Sequence, residues 1–315
     1  MKRVMLGNTG INISTLCFGS LTMGPLQAGL TLEDGAGVLA HAFEQGVNFA
    51  DTAQLYKTYK YIRRAMEITG ACDIVISSKT YAHTRELAIE AVEEARRELN
   101  RDYIDIFMLH EQESKHTLRG HSEALEYLLE CRQKGIIRAV GISMHHVAAV
   151  NGAVELGLDC IHPLINRMGL GLVDGGIADM ERAASKAYDC GLGVFAMKPL
   201  GGGNLLRSAK QSLEYVRSLP FIHSIAVGMQ SIQEVDANIR FWETGSFTSE
   251  QEEALGKIKR SLHIDDWCEG CGACVKRCSA KALRLEEDKA VCDGAKCLLC
   301  GYCSADCPVF AIKMI

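Results

Sequence analysis

Two stretches near the end of the chain repeat one spacing. The first is Cys268-Glu-Gly-Cys271-Gly-Ala-Cys274-Val-Lys-Arg-Cys278, and the second is Cys297-Leu-Leu-Cys300-Gly-Tyr-Cys303-Ser-Ala-Asp-Cys307-Pro308. Both read C-x2-C-x2-C-x3-C, and no other pattern in the chain restricts its backbone as strongly. In such a run, three thiolates from one tight loop take three corners of an iron–sulfur cubane, and the fourth cysteine ligates the other cluster. The spacing therefore predicts two [4Fe–4S] clusters. One is assigned to Cys268, Cys271, Cys274 and Cys307, the other to Cys297, Cys300, Cys303 and Cys278. Gly270, Gly272 and Gly301 suit a backbone that bends closely around inorganic sulfide. Zinc is the bland alternative, but it needs only four thiolates in separated pairs, and the third cysteine of each triplet is superfluous for that.

Fourteen cysteines in a short secreted chain would suggest disulfides, but this chain, at 315 residues, is not short and does not read as secreted. Nine of the fourteen fall between Cys268 and Cys307, which argues for metal. Cys292 lies outside both runs and reads as a spare thiol. Cys17, Cys72, Cys131, Cys160 and Cys190 are scattered among apolar residues and read as small core side chains. The two runs resemble the bacterial-type ferredoxins with two [4Fe–4S] clusters. One departure is Ser279, which follows Cys278 where that pattern usually has Pro; Pro308 is kept. The resemblance implies a small C-terminal α+β ferredoxin-like iron–sulfur domain over residues 265–315.

Upstream, short β-branched or apolar runs alternate with helical patterns. The runs are Thr15–Phe18, Val47–Ala50, Ile74–Ser77, Ile104–Leu109, Val140–Ile142, Cys160–Ile165, Gly193–Met197 and Ser224–Val227. Thr84–Leu99 is the clearest helix, with Leu87, Ala91, Ala95 and Leu99 at four-residue spacing. Thr31-x-x-Asp34 has the form of a capping box, and Gly46, Gly135 and Gly191 each close a helical pattern. Eight βα units with strands apolar on both faces predict a (β/α)8 TIM barrel over residues 1–264, with a doubly wound open sheet as the runner-up. Gly7-Asn8-Thr9-Gly10 predicts a hairpin ahead of it, and Thr248–His263 one further helix behind it. No Gly/Ser- or Pro-rich spacer separates the two parts, so they are expected to be docked rather than tethered.

Active sites of such barrels lie at the C-terminal ends of the strands. Asp51, with Tyr56 just beyond it, ends the second run; Lys79 ends the third and His110 the fourth. Singly, each has an ordinary reading: a turn cap, a solvated lysine, a satisfied core histidine. Together they converge on one mouth from three adjacent strands. A tyrosine hydroxyl normally titrates near pH 10, so a nearby ammonium, itself held by a carboxylate, is expected to favour the phenolate. That makes Tyr56 a general acid toward a carbonyl oxygen, with Lys79 and Asp51 as tuners and His110 as orienter.

At this point the chain resembles the aldo-keto reductase superfamily. The matching pieces are Asp51-Thr52-Ala53-x-x-Tyr56, Ser78-Lys79, Tyr103-Ile104-Asp105-x-x-x-Leu109-His110, Val140-Gly141-Ile142-Ser143 and Met197-Lys198-Pro199-Leu200-Gly201-Gly202-Gly203, spread over roughly residues 1–245. The resemblance implies hydride transfer between NAD(P)H and an aldehyde, ketone or alcohol, with Asp51, Tyr56, Lys79 and His110 as the catalytic tetrad. It also implies cofactor contacts at Gly19, Ser20 and Asp51, at Ser143 and Asn166 for the carboxamide, at Met197 beside the nicotinamide, at Lys198, Pro199, Leu200 and Gly201, and at Gly228, Ser231 and Asn238 toward the adenosine. Glu234 stands where NADPH-preferring relatives often have Arg. That leans toward NADH, yet Ser231-x-x-Glu234 is itself a capping box, so NADH and NADPH both stay open.

The formal charge of −5 and the lack of a basic–aromatic patch argue against nucleic acid. No apolar run approaches the ~20 residues of a membrane span, and Met1–Ser14 makes a poor signal peptide, so a cytoplasmic protein is expected. Nicotinamide passes electrons in pairs and each cluster singly. The first reading is therefore a carbonyl reductase or alcohol dehydrogenase whose clusters form a structural or electron-transfer accessory. The alternative is an electron-transfer enzyme, or a redox partner protein, whose clusters exchange single electrons with a flavin, a substrate or a protein partner; the chain carries no flavin motif. A non-enzymatic redox sensor ranks last, because the tetrad is intact.

Overall fold

The computed structural model describes residues 1–315. The chain opens with an antiparallel hairpin of β1 (Arg3–Met5) and β2 (Asn12–Ser14), turned where Gly7–Gly10 predicts it. Eight parallel strands follow: β3 (Leu16–Gly19), β4 (Phe49–Asp51), β5 (Val75–Thr80), β6 (Ile104–Leu109), β7 (Ile137–Met144), β8 (Cys160–Pro163), β9 (Gly193–Met197) and β10 (Ser224–Gly228). They close into a barrel, with Ile225 of β10 opposite Leu16 of β3. Each of the eight expected runs falls on one strand, and closure decides against the open sheet.

The strands alternate with α1 (Leu32–Glu44), α2 (Tyr59–Thr69), α3 (Arg85–Leu99), α4 (Lys115–Gly120), α5 (Ser122–Gln133), α6 (Val147–Glu155), α7 (Ile177–Asp189), α8 (Ala209–Ser218) and α9 (Ile232–Thr244). Thr84 caps α3 by accepting from Leu87 N, and Thr31 caps α1 by accepting from Asp34 N. Gly46, Gly135 and Gly191 take left-handed φ angles of 89°, 73° and 86° just past their helices.

Strand residues serve two cores in alternation. On β6, Ile106 and Met108 point into the barrel, while Phe107 and Leu109 pack under the helices. The lumen is filled from below by Leu6, Ile11 and Ile13 of the hairpin against Phe49 and Phe195. Cys17, Cys131 and Cys160 are buried as expected. Cys72 and Cys190 are exposed instead, because both lie in helix-to-strand connections on the surface.

Beyond the barrel, α10 (Ser249–Lys257) begins with the full Thr248–Gln251 capping box. It ends at Lys257, short of the expected His263. Ile258 turns extended, and Leu262–Ile264 form β11, which pairs antiparallel with β14 (Ile312–Met314). The apolar C-terminal run offers ladder bonds that a longer helix would forgo. Between these strands come α11 (Ala273–Arg277), the hairpin β12 (Leu283–Glu286) and β13 (Lys289–Cys292), and α12 (Tyr302–Ala305).

This cysteine-rich segment docks on the loop after β9. Met314 N donates to Gly202 O at 2.9 Å, Asn204 Nδ2 to Ile312 O at 3.2 Å, and Arg207 Nη2 to Leu298 O at 2.9 Å. Phe310, almost fully buried, packs on Leu164 and Met197 at the barrel mouth. No helix is long and apolar enough to cross a membrane.

Candidate active site

At the C-terminal ends of β4, β5 and β6, the four expected side chains meet. Lys79 Nζ donates to Asp51 Oδ1 at 2.7 Å, to Asp51 Oδ2 at 2.9 Å and to Thr52 O at 2.6 Å. The same ammonium lies 5.1 Å from the centre of the Tyr56 ring. The Tyr56 hydroxyl lies 3.4 Å from His110 Nε2. All four residues are buried. Tyr56 reaches the mouth because Gln54–Tyr56 form a single tight turn, after which Lys57 takes a left-handed φ of 55°.

Burial dominates the electrostatics. It pushes the Asp51 carboxyl up, but Lys79 and then His162 pull it further down, so the group sits well below the usual carboxylate range. Burial pushes His110 down to about 3, so the imidazole is neutral near pH 7. Burial first, and then the Asp51 charge, push Tyr56 well above 10. This corrects the expectation that Lys79 favours the phenolate: the ammonium is spent on Asp51 and Thr52 O, and Tyr56 keeps its proton.

A cavity of about 140 Å³ opens beside Tyr56 and runs toward the N-terminus of α9. Of the expected cofactor positions, Gly19, Asp51, Met197, Lys198, Pro199, Leu200 and Gly228 line it. Six do not. Ser20 Oγ bonds Thr58 Oγ1, and Ser143 Oγ accepts from Glu111 N. Asn166 closes its own loop, accepting from Met168 N and Leu170 N and donating to Leu170 O. Gly201 sits behind the lining in a turn with φ 57°. Ser231 caps α9, and Asn238 donates to Glu234 O.

Other lining residues were not foreseen. His162 of β8 is the side chain from that strand that reaches the cavity; its Nε2 lies 3.6 Å from Asp51 Oδ2, and its Nδ1 pairs with Phe195 O at 2.6 Å. A histidine inside the apolar run Cys160–Ile165 was the available signal. From outside the barrel come Arg260, Lys313 and Met314. Lys313, a lone cation in an apolar terminal run, had a signal too. Its ammonium bonds Phe310 O and lies 3.3 Å from Asp265 Oδ2; burial and then Lys198 push it down to about 8. Nothing near Arg260 in the sequence marks it.

The cysteines of the two runs are all unbridged. They surround two small cavities. One is lined by Cys268, Cys271, Cys274 and Cys307, the other by Cys278, Cys297, Cys300 and Cys303. Main-chain N–H groups point at three of the sulfurs: Ala311 N at Cys307 Sγ (3.2 Å), Ala282 N at Cys278 Sγ (3.3 Å) and Ala290 N at Cys268 Sγ (3.5 Å). No three His, Cys, Asp or Glu side chains converge tightly enough to share one metal ion. The cysteines ring their cavities rather than meeting at a point.

The profile of the aldo/keto reductase family matches residues 15–218, which span β3 through α8. An L-galactose dehydrogenase of Arabidopsis thaliana is 25% identical over 308 aligned residues, covering 82% of this chain and 93% of that protein. A 6-dehydroglucose reductase of Novosphingobium aromaticivorans is 24% identical over 222 residues, covering 64% of this chain and 69% of that one. Among solved structures, the holo form of the aldo-keto reductase AKR11C1 from Bacillus halodurans superposes with a TM-score of 0.66 at 21% identity, over 82% of this chain and 96% of that one.

Proposed function

The chain belongs to the aldo/keto reductase family, and from that premise we propose that it interconverts a small aldehyde or ketone and its alcohol, with Tyr56 giving and taking the proton. It is an NAD(P)-dependent oxidoreductase. The observation that carries the finer reading is the buried cluster of Asp51, Lys79, Tyr56 and His110, of which Asp51 and Tyr56 line one cavity with Lys79 and His110 behind them.

When bound, the nicotinamide supplies or receives a hydride at the substrate carbon. The chain's own residues do the rest. Tyr56, protonated and half enclosed by His110 and Lys79, donates its hydroxyl proton to the carbonyl oxygen as charge develops there. The Lys79 ammonium, bonded to Asp51 and to Thr52 O and 5.1 Å from the centre of the Tyr56 ring, holds in place the loop that carries Tyr56. His110, neutral, offers a hydrogen bond without carrying a competing proton charge. His162 Nε2 stands 3.6 Å from Asp51 Oδ2 and adds a second neighbour that holds this carboxylate.

The cysteine-rich unit reads as the holder of two [4Fe–4S] clusters with the ligand sets Cys268, Cys271, Cys274, Cys307 and Cys278, Cys297, Cys300, Cys303. Supporting this are the four-cysteine lining of each cavity and the N–H groups aimed at sulfur, which favour thiolates. Such clusters supply single electrons. The division into a barrel over residues 1–264 and an iron–sulfur unit over 265–315 belongs to the same reading, with β11 joining the second part through its pairing with β14. One contact favours a redox role beside a structural one: Phe310, three residues past Cys307, packs on Met197 in the cavity wall.

Protein purified without oxygen should contain iron and acid-labile sulfide and should reduce test aldehydes with NAD(P)H. Tyr56→Phe should lose roughly 10²–10⁴-fold in kcat while still binding nucleotide. Full activity in that variant would sink the tyrosine assignment. Absence of iron would sink the clusters.

A further inference from the structure

Glu234 lies in the first turn of α9, at the end of the cavity farthest from the tetrad, and is nine-tenths buried. A bare carboxylate there would repel a phosphate. It is not bare. Its Oε1 accepts from Arg260 Nη2, its Oε2 accepts from Gln230 N at 2.7 Å, and its own N–H donates to Ser231 Oγ at 3.2 Å. Both carboxylate oxygens are therefore engaged, and the acid is neutralised by a guanidinium from outside the barrel.

Arg260 stands between α10 and β11. Its position is fixed by the next residue, because Ser261 and Ile315 exchange main-chain bonds of 2.7 and 3.1 Å. Only Nη2 is committed to Glu234, and Arg260 lines the cavity, so the planar fork keeps further donors for a ligand there. The only other acid in the cavity wall, Asp51, lies at the tetrad and is paired with Lys79. The N-terminus of the thirteen-residue α9 adds a positive partial charge at the same end. Ribose hydroxyls, by contrast, would have to displace the guanidinium to reach Glu234.

We propose that Arg260, held by Glu234, is a specificity-determining residue that binds the 2′-phosphate of a phosphorylated dinucleotide, so that this chain prefers NADPH to NADH. The inference rests on the nicotinamide-nucleotide reading of the cavity, and fragment binding separates the two. Titration calorimetry with 2′,5′-ADP and with 5′-AMP should show the wild-type protein binding the former more tightly by about tenfold or more, the scale of one charge-assisted hydrogen bond. Arg260→Gln should abolish that difference and leave 5′-AMP unchanged, and Arg260→Lys should restore part of it. The double variant Arg260→Gln/Glu234→Gln, which leaves no buried unpaired acid, should also show no preference. Equal binding of the two fragments by wild-type protein, or an unchanged ratio in Arg260→Gln, overturns the proposal, as does an equal loss of both fragments in the double variant. If neither fragment, nor NADH, nor NADPH binds wild-type protein, the nucleotide reading itself falls.

Discussion

Three histidines stand around the mouth, His110 and His162 buried and His145 half-buried, and desolvation pushes each of them down: His110 to about 3, His145 well below 6.5, and His162 below 6.5. The unfolded chain binds a proton at His110 near pH 6.5, while the folded chain refuses it until about pH 3. A depressed base thus contributes stability that is full above about 6.5 and is lost as pH falls toward about 3. Asp51 acts in the same direction: its carboxyl is held low in the fold, so its contribution is also lost on acidification. The protein should therefore be acid-labile. Urea midpoints measured at about pH 7.5 and about pH 4.5 should fall more steeply for wild-type protein than for His110→Asn. Equal falls would mean that the other groups carry the effect. At this scale the sequence was informative about identity and poor about direction. Asp51, Tyr56, Lys79 and His110 stand at strand ends, where the pleat aims them at the mouth. Asn166 had the right chemistry but turns back to cap its own loop, and His162 takes the place beside the cavity. Which way a polar side chain turns depends on neighbours that spacing along a chain does not reveal.

The barrel strands were legible because each is largely buried on both faces and so carries a short apolar or β-branched run. The boundary after α10 was not, because the partner of β11 lies some fifty residues further on, in β14. That strand also carries the attachment of the cysteine-rich unit, through Met314 N and Gly202 O. Gly203 makes the approach possible. Its φ is +84°, and a Cβ placed there would stand 2.1 Å from Met314 O. Gly203→Ala should therefore push β14 off the loop after β9 and cost about 1–3 kcal/mol, the usual scale of overpacking plus strain. Limited proteolysis should show faster cleavage in the Lys257–Leu262 connection. Unchanged cleavage would mean that the unit is held by Phe310 and Asn204 instead.

The two parts of the molecule share one cavity wall, since Lys313 and Met314 line it together with barrel residues. Cys307 lies in the same loop as Phe310, and Phe310 N donates to Cys307 O at 3.1 Å. On the cluster reading, stripping iron from the unit should loosen this loop and with it the cavity. Protein treated with chelator and oxidant should bind nucleotide several-fold more weakly, and rebuilding with iron and sulfide should restore the affinity. Equal affinity with and without iron would show that the barrel alone shapes the cavity.

The hairpin of β1 and β2 plugs the lower end of the barrel with Leu6, Ile11 and Ile13. The lumen is thus a blind alley. Every molecule that reaches Asp51 and Tyr56 enters and leaves through the upper rim, where Phe310 and β14 sit. Traffic through a single doorway forms a queue, so the occupant seated deeper arrives first and departs last, and the cysteine-rich unit stands at that doorway.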